Sequence, residues 1–301
     1  MIIDCHQHSD WHGRRAKDTV AYMDAAGVDV AWILTWEAAD GGLEPYYQHI
    51  SAPVTFAAAA AYPGRFVVGT APDLRRERAL ELIREYHSQG AKVLGEVKLR
   101  AIMDTPELIQ GFRLAGELGM PVLFHLELPR IEGGVLTQWY LGDIDAFERT
   151  LQKCPETTFI AHGPGWWAHI SKDKRGYESS YPEGPIVPGG GVVRLMEKYE
   201  NLYSDLSASS GLRALSRDLK FTKRFLTNFA DRIVYGTDYW DTRLLDHLRN
   251  LDLPADVLTK ILYKNALKLV PCPKKEATSH KPLATRERQR QRQKATGSVK
   301  P

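Results

Sequence analysis

The chain opens Met1-Ile2-Ile3-Asp4-Cys5-His6-Gln7-His8, and these eight residues set both a fold and a chemistry. Ile2 and Ile3 are too apolar for an exposed start, so the run reads as a buried strand. Strand side chains alternate between faces, which puts Asp4, His6 and His8 on one face and Cys5 and Gln7 on the other. Two neutral imidazoles about 7 Å apart along a strand can share one metal ion, and histidine is the commonest nitrogen ligand of zinc. The plainer alternative is a pair of hydrogen-bonded core histidines. On this alternation Cys5 packs into the helix layer and is no ligand.

Outward from that strand, short β-rich runs recur at residues 30–36, 65–71, 92–99, 121–128, 158–162, 202–206 and 233–238. Segments of helical spacing lie between them, as at 77–87, 108–118, 143–151 and 193–199, and Gly27, Gly64, Gly90 and Gly119 mark starts of the next strand. Strands alternating with helices predict βαβ units and a parallel sheet. Eight such units within about 270 residues predict a closed (β/α)8 TIM barrel. A doubly wound open sheet is the competitor, but no GxGxxG follows the first strand. The stretch 163–191 is rich in Gly, Pro and aromatics and too long for a simple loop, so it reads as an insertion after strand six. Helices at 244–251 and 255–269 finish the barrel. The expected organisation is a barrel domain over 1–272 and a disordered basic tail over 273–301.

The other polar residues fall in corresponding places. His125 ends Val122-Leu123-Phe124, His162 follows Phe159-Ile160-Ala161, and Asp238 follows Tyr235-Gly236-Thr237. Each stands where an apolar strand gives way to a loop, and in a barrel those positions converge on the C-terminal face. Buried together, they would leave unsatisfied polar groups unless a cation organised them. In Val93-Leu94-Gly95-Glu96-Val97-Lys98-Leu99, alternation sets Glu96 and Lys98 on one face and Val93, Gly95 and Val97 on the other. A ligand role for either residue and a buried Glu–Lys ion pair are both open.

Composition excludes several classes. With 43% hydrophobic and 26% charged residues, the 301-residue chain is not mainly disordered. Three scattered cysteines exclude a disulfide framework. The alanine-rich run 56–62 is too short to span a bilayer, and Met1-Ile2-Ile3 carries no signal-peptide pattern, so a cytoplasmic protein without membrane partners is expected. The formal charge of +3 divides unequally: residues 274–301 carry nine Lys or Arg against two Glu, and 1–273 is net −4. That tail has no aromatic residue to stack on a base, which argues against nucleic-acid binding.

Taken in order, Asp4-Cys5-His6-Gln7-His8, Phe124-His125, Ile160-Ala161-His162-Gly163, Tyr235-Gly236-Thr237-Asp238 and Lys264-Asn265-Ala266-Leu267-Lys268-Leu269 resemble the amidohydrolase superfamily, in its amidohydrolase-related branch of TIM-barrel metal-dependent hydrolases. The resemblance covers nearly all of residues 1–270. It implies that His6, His8, His125 and Asp238 hold a divalent metal, zinc first and manganese as the alternative. Glu96 is a further ligand candidate, although one metal is expected. His162 is implied as a second metal ligand or as the residue that polarises substrate and positions water, and Asp238 as the general base. The implied activity is hydrolysis of a C–N, lactone or ester bond in a small organic molecule. A non-oxidative decarboxylase or hydratase of a small carboxylic acid is the alternative. Specificity is expected from Trp36, Lys98, Arg100, Trp166 and Tyr239, with Arg100 as a carboxylate clamp. For about half of the rim aromatics, packing of the insertion against the barrel is the competing reading. A homodimer is compatible with exposed aromatics on such a barrel.

Overall fold

A computed structural model describes residues 1–38, 49–129, 131–132, 134–136, 139–173 and 178–273. The tail expected to be disordered lies, beyond Pro273, outside the described residues. Eight strands form the barrel: β1 (Ile3–Gln7), β2 (Val30–Leu34), β3 (Phe66–Thr70), β4 (Val93–Val97), β5 (Val122–His125), β6 (Phe159–His162), β7 (Leu202–Asp205) and β8 (Ile233–Val234). All neighbours pair in parallel and in sequence order. Two backbone bonds bring the end of the sheet back to β1, Cys5 N to Tyr235 O (2.9 Å) and Asp238 N to His6 O (2.8 Å). The protein is an α/β TIM barrel, as the alternation of strands and helices predicts. Among the described residues no helix is long and apolar enough to cross a membrane.

The core has two layers because a barrel strand is apolar on both faces. Inside, every strand contributes to one buried cluster that includes Ile3, Cys5, Trp32, Val67, Val93, Leu123, Ile160, Tyr203 and Val234. Outside, Ile33, Val68, Leu94, Phe124, Ala161 and Leu202 pack on the helices. The last helical segments, Ala255–Thr259, a π turn at Lys260–Lys264 and Asn265–Leu269, close the lower end. Asn265 donates to the carbonyls of Ala230 and Ile233 (2.7 Å each), and Tyr263, Leu267 and Leu269 press on the interior cluster.

Two expectations about facing are corrected. Cys5 packs in the barrel interior and not in the helix layer. The register of β1 on β2 shifts between Asp4 and Gln7, so the strict period of two breaks just before the histidines. Asp4 and Gln7 bond one another (3.0 Å), and Asp4 accepts from Thr237 (2.6 Å), while His8 lines the cavity and His6 turns its Nε2 toward Asp238 at the cavity floor. A second shift between Leu94 and Val97 separates Val93, which faces inward, from Val97, which faces the helices. It frees Glu96 and Lys98 to point into the same cavity as the histidines.

Candidate metal centre

A cavity of about 330 Å3 opens at the C-terminal ends of the strands. Its floor is made by the residues that end β1, β4, β5, β6 and β8, which is why strand-end polarity marks them in the sequence. His6 Nε2 and His8 Nε2 stand 3.5 and 3.4 Å from the same oxygen, Oδ1 of Asp238. Glu96 lies among all four histidines. Its carboxylate is 2.9 Å from His125 Nδ1, 3.5 Å from His8 Nε2, and 3.9 Å from Nε2 of both His6 and His162. His162 Nε2 is 3.6 Å from the other oxygen of Asp238. His125 and His162 are direct partners in the β5–β6 register, which fixes their rings 5.1 Å apart.

The far side of three of the four rings is occupied. His6 Nδ1 meets Asp205 Oδ2 at 2.7 Å, His8 Nδ1 meets the Leu34 carbonyl at 2.9 Å, and His162 Nδ1 meets Ser207 Oγ at 2.8 Å. Ligating histidines are characteristically held through the second nitrogen in this way. Nε2 of His6, His125 and His162 is buried with no hydrogen-bond partner. Such atoms are costly unless something satisfies them. Neighbouring ligand atoms of a tetrahedral ion with ~2.1 Å bonds lie about 3.4 Å apart, and the separations of His6 and His8 Nε2 from Asp238 Oδ1 match that edge. The residues present therefore fit a divalent cation. Among the described residues three donor groups satisfy the chemistry: His6, His8 and Asp238; Glu96, His125 and His162; and His6, His162 and Asp205.

Electrostatics point the same way. Burial works against a charge on His6, but Asp238, Asp205 and Glu96 outweigh it and push its pKa up to about 10. His8 is likewise raised by Asp238 and Glu96 against its burial. Burial, joined by the charge on His6, pulls His162 down and keeps it neutral. Burial would raise Asp238 and Glu96, yet the histidines, with Lys98 beside Glu96, hold both carboxyls far below the usual range. The floor is thus a concentration of negative charge that favours a proton or a cation.

The expected specificity residues divide. Trp36 and Lys98 line the cavity, and Lys98 Nζ lies over the rings of Trp36 (4.6 Å) and Tyr140 (4.9 Å). Tyr239 is half exposed and lines a smaller adjoining cavity of about 260 Å3 that shares Trp11 and Asp238 with the first. Arg100 is half-buried outside the lining of either cavity. Trp166 is not on the rim: it is fully buried, donates from Nε1 to Ser204 Oγ (3.2 Å) and packs edge-on to Phe147. A tryptophan satisfied on both its polar and apolar sides within the core has nothing left to offer a ligand. Sequence reading missed Asp205, Ser207 and Glu127. Asp205 ends β7 as His162 ends β6, a signal that was available. Glu127 follows His125 by two and faces its Nε2 at 3.4 Å.

A TIM barrel with histidines and carboxylates gathered at the strand ends defines a class of barrel enzymes with a candidate metal centre. The sequence profile of the amidohydrolase family matches residues 3–272, and the chain belongs to that family. No curated protein sequence matches it. Solved structures resemble it in fold. A probable 2-pyrone-4,6-dicarboxylic acid hydrolase from Acinetobacter baumannii, with citric acid bound, is 11% identical over 89% of this chain and 98% of its own, with a TM-score of 0.58. An amidohydrolase from Burkholderia multivorans with bound zinc is 14% identical over 91% and 100%, also at 0.58. A dihydroxybenzoic acid decarboxylase from Polaromonas sp. JS666, with manganese and 2-nitroresorcinol, is 17% identical over 83% and 84%, at 0.51.

Proposed function

We propose that this chain is a metal-dependent hydrolase of a small organic substrate carrying a lactone, ester or C–N bond. The observation that carries this reading is the approach of His6 and His8 Nε2 to one oxygen of Asp238, on the floor of a cavity sized for a small molecule. His6, His8 and Asp238 would hold the ion, with Glu96 as a fourth donor and His125 and His162 beside it. A divalent ion bound there supplies a Lewis acid and lowers the pKa of water toward ~7. Zinc or manganese is supported by the zinc in the Burkholderia structure and the manganese in the Polaromonas one.

Asp238 keeps its second oxygen toward His162, 3.6 Å away, and so has an acceptor for the proton of an attacking water. The charge on Asp238 is what burial alone would remove, and the surrounding histidines maintain it. The carboxylate then returns the proton to the leaving group, acting first as base and then as acid. Trp11, Trp36 and Tyr181 provide apolar walls for a flat substrate.

One observation favours the alternative decarboxylase reading: Lys98, a buried ammonium on the cavity wall, is the type of group that receives a substrate carboxylate. The test begins with metal analysis of the purified protein. It continues with a panel of lactones, esters and amides run beside aromatic acids monitored for carbon dioxide. Metal-dependent release of acid or amine supports the hydrolase, carbon dioxide release replaces it with the lyase, and catalysis that survives chelation with no metal bound overturns both.

A further inference from the structure

Asp205 and Ser207, at and just beyond the end of β7, touch two of the floor histidines from behind. All four side chains are completely buried. Asp205 Oδ2 is 2.7 Å from His6 Nδ1 and 2.6 Å from Ser207 Oγ, and the same Ser207 oxygen is 2.8 Å from His162 Nδ1. Asp205 Oδ1 is occupied by the Ser207 backbone N–H at 2.9 Å.

Proton counting fixes the direction of every bond. A carboxylate only accepts, so His6 must donate from Nδ1. The serine hydroxyl has one hydrogen, and the shorter, charged acceptor takes it, so Ser207 donates to Asp205. The Ser207 oxygen then has only lone pairs for His162, whose Nδ1 must carry the proton. We propose that Asp205 and Ser207 are positioning residues that fix Nδ1 as the proton-bearing nitrogen of both His6 and His162, leaving Nε2 of each as the nitrogen that ligates or accepts. One carboxylate oxygen thereby sets two rings on different strands.

The consequence, which rests on the hydrolase reading above, is a division of roles at the floor. His162 in this tautomer is no hydrogen-bond donor to a substrate carbonyl. Its Nε2 is a lone pair beside Asp238 Oδ2, so the two act as paired acceptors that orient the hydrogens of one water, or as ligands. The tautomer itself is independent of the reaction catalysed.

The test uses full-length protein labelled with 15N-histidine, studied by two-bond 1H–15N correlation, with ring signals assigned from His6→Gln and His162→Gln. In the chelator-stripped wild type, His162 is expected to show a protonated Nδ1 and an unprotonated Nε2. Ser207→Ala is expected to move the His162 signals more than those of His6, whose Nδ1 is 3.2 Å from the same hydroxyl but 2.7 Å from Asp205. Asp205→Asn, whose amide can donate, is expected to bring an Nε2–H form to His162 and to weaken zinc binding 10–100-fold, measured by competition with a chromophoric chelator. If Asp205→Asn does not fold, Ser207→Ala decides. A wild-type His162 with its proton on Nε2, or Ser207→Ala signals identical to wild type, overturns the assignment. The expected tautomers in a protein that hydrolyses nothing on the panel would uphold it while removing the proposed reaction.

Discussion

Gly236 and His6 pass one another with no room for a methyl group: a Cβ added at Gly236 would lie 2.9 Å from His6 Cβ and 2.6 Å from Asp205 Oδ1. A side chain at residue 236 would therefore push the last strand and the first apart, and their close approach is what sets His6 and Asp238 side by side. Gly236→Ala is expected to cost about 1–3 kcal/mol of stability through overpacking. It should weaken zinc binding as well, because the clash falls on a candidate ligand and on its support. Thermal melting with and without zinc measures both effects, and an unchanged zinc affinity would mean the strands adjust without moving the site.

His6 and Asp238 are expected to be indispensable for turnover and dispensable for folding. His6→Ala empties space beneath Asp238, which lines the cavity, and leaves the two apolar layers untouched. Asp238→Asn preserves shape while deleting the proton acceptor, and a general base contributes roughly 10^2–10^4 in rate. Once a substrate from the panel is in hand, kcat/KM should fall by at least that range for either variant. Far-ultraviolet circular dichroism should remain that of the wild type.

How far the sequence reveals this arrangement depends on what each residue does. The eight strands are legible because each is an apolar run ended by a polar residue, and burial on two faces demands such runs. His6, His8, His125, His162 and Asp238 are legible because a charged or ring-nitrogen group at the end of such a run must face the barrel's open end. Asp205 has the same address but stands behind His6 and His162 at their Nδ1 atoms, so no motif of ligand spacing includes it. The facing of Cys5 and Val93 is not legible: the register shifts in β1 and β4 come from closing the barrel, and the alternation rule presumes an unbroken pleat. Trp166 illustrates a further limit, since an aromatic ring that packs an insertion and one that rims a pocket are the same letter in the chain.

Metal uptake should depend on pH with a definite sign. In the ion-free protein, His6 keeps its proton up to a pKa of about 10, because Asp238, Asp205 and Glu96 overcome the effect of burial. That proton, and any on His8, must leave before Nε2 can ligate, so binding one ion releases at least one proton throughout the neutral range. Apparent zinc affinity is therefore expected to rise at least tenfold per pH unit between roughly pH 6 and 8. Calorimetry in buffers of different ionisation heats counts the protons released. The same raised pKa stabilises the ion-free fold fully below the ordinary histidine value of 6.5. That contribution is lost as pH climbs toward 10, so the ion-free protein should melt progressively earlier across that window. An affinity flat with pH would show that His6 is already neutral.

Asp104 provides a test of stability away from the cavity. Its carboxylate accepts from Arg149 Nε (2.8 Å) and Nη2 (3.2 Å) and from Lys153 Nζ (3.0 Å), tying the turn before the helix Pro106–Glu117 to the helix Ile144–Lys153. The Arg149 hydrogen bond, aided by Lys153 and opposed by burial, lowers the carboxyl from 3.8 to about 2. A depressed carboxylate stabilises the fold above its unfolded pKa, and the contribution disappears as pH falls from near 4 to near 2. Both cations are about half exposed, so water and salt screen the pair and its worth is below about 1 kcal/mol. Asp104→Asn is therefore expected to lower the melting temperature by about 1–3 °C at neutral pH. The gap should narrow in 1 M salt and close near pH 2. A gap that persists at pH 2 would mean that the side chain acts through its neutral hydrogen bonds and not through its charge.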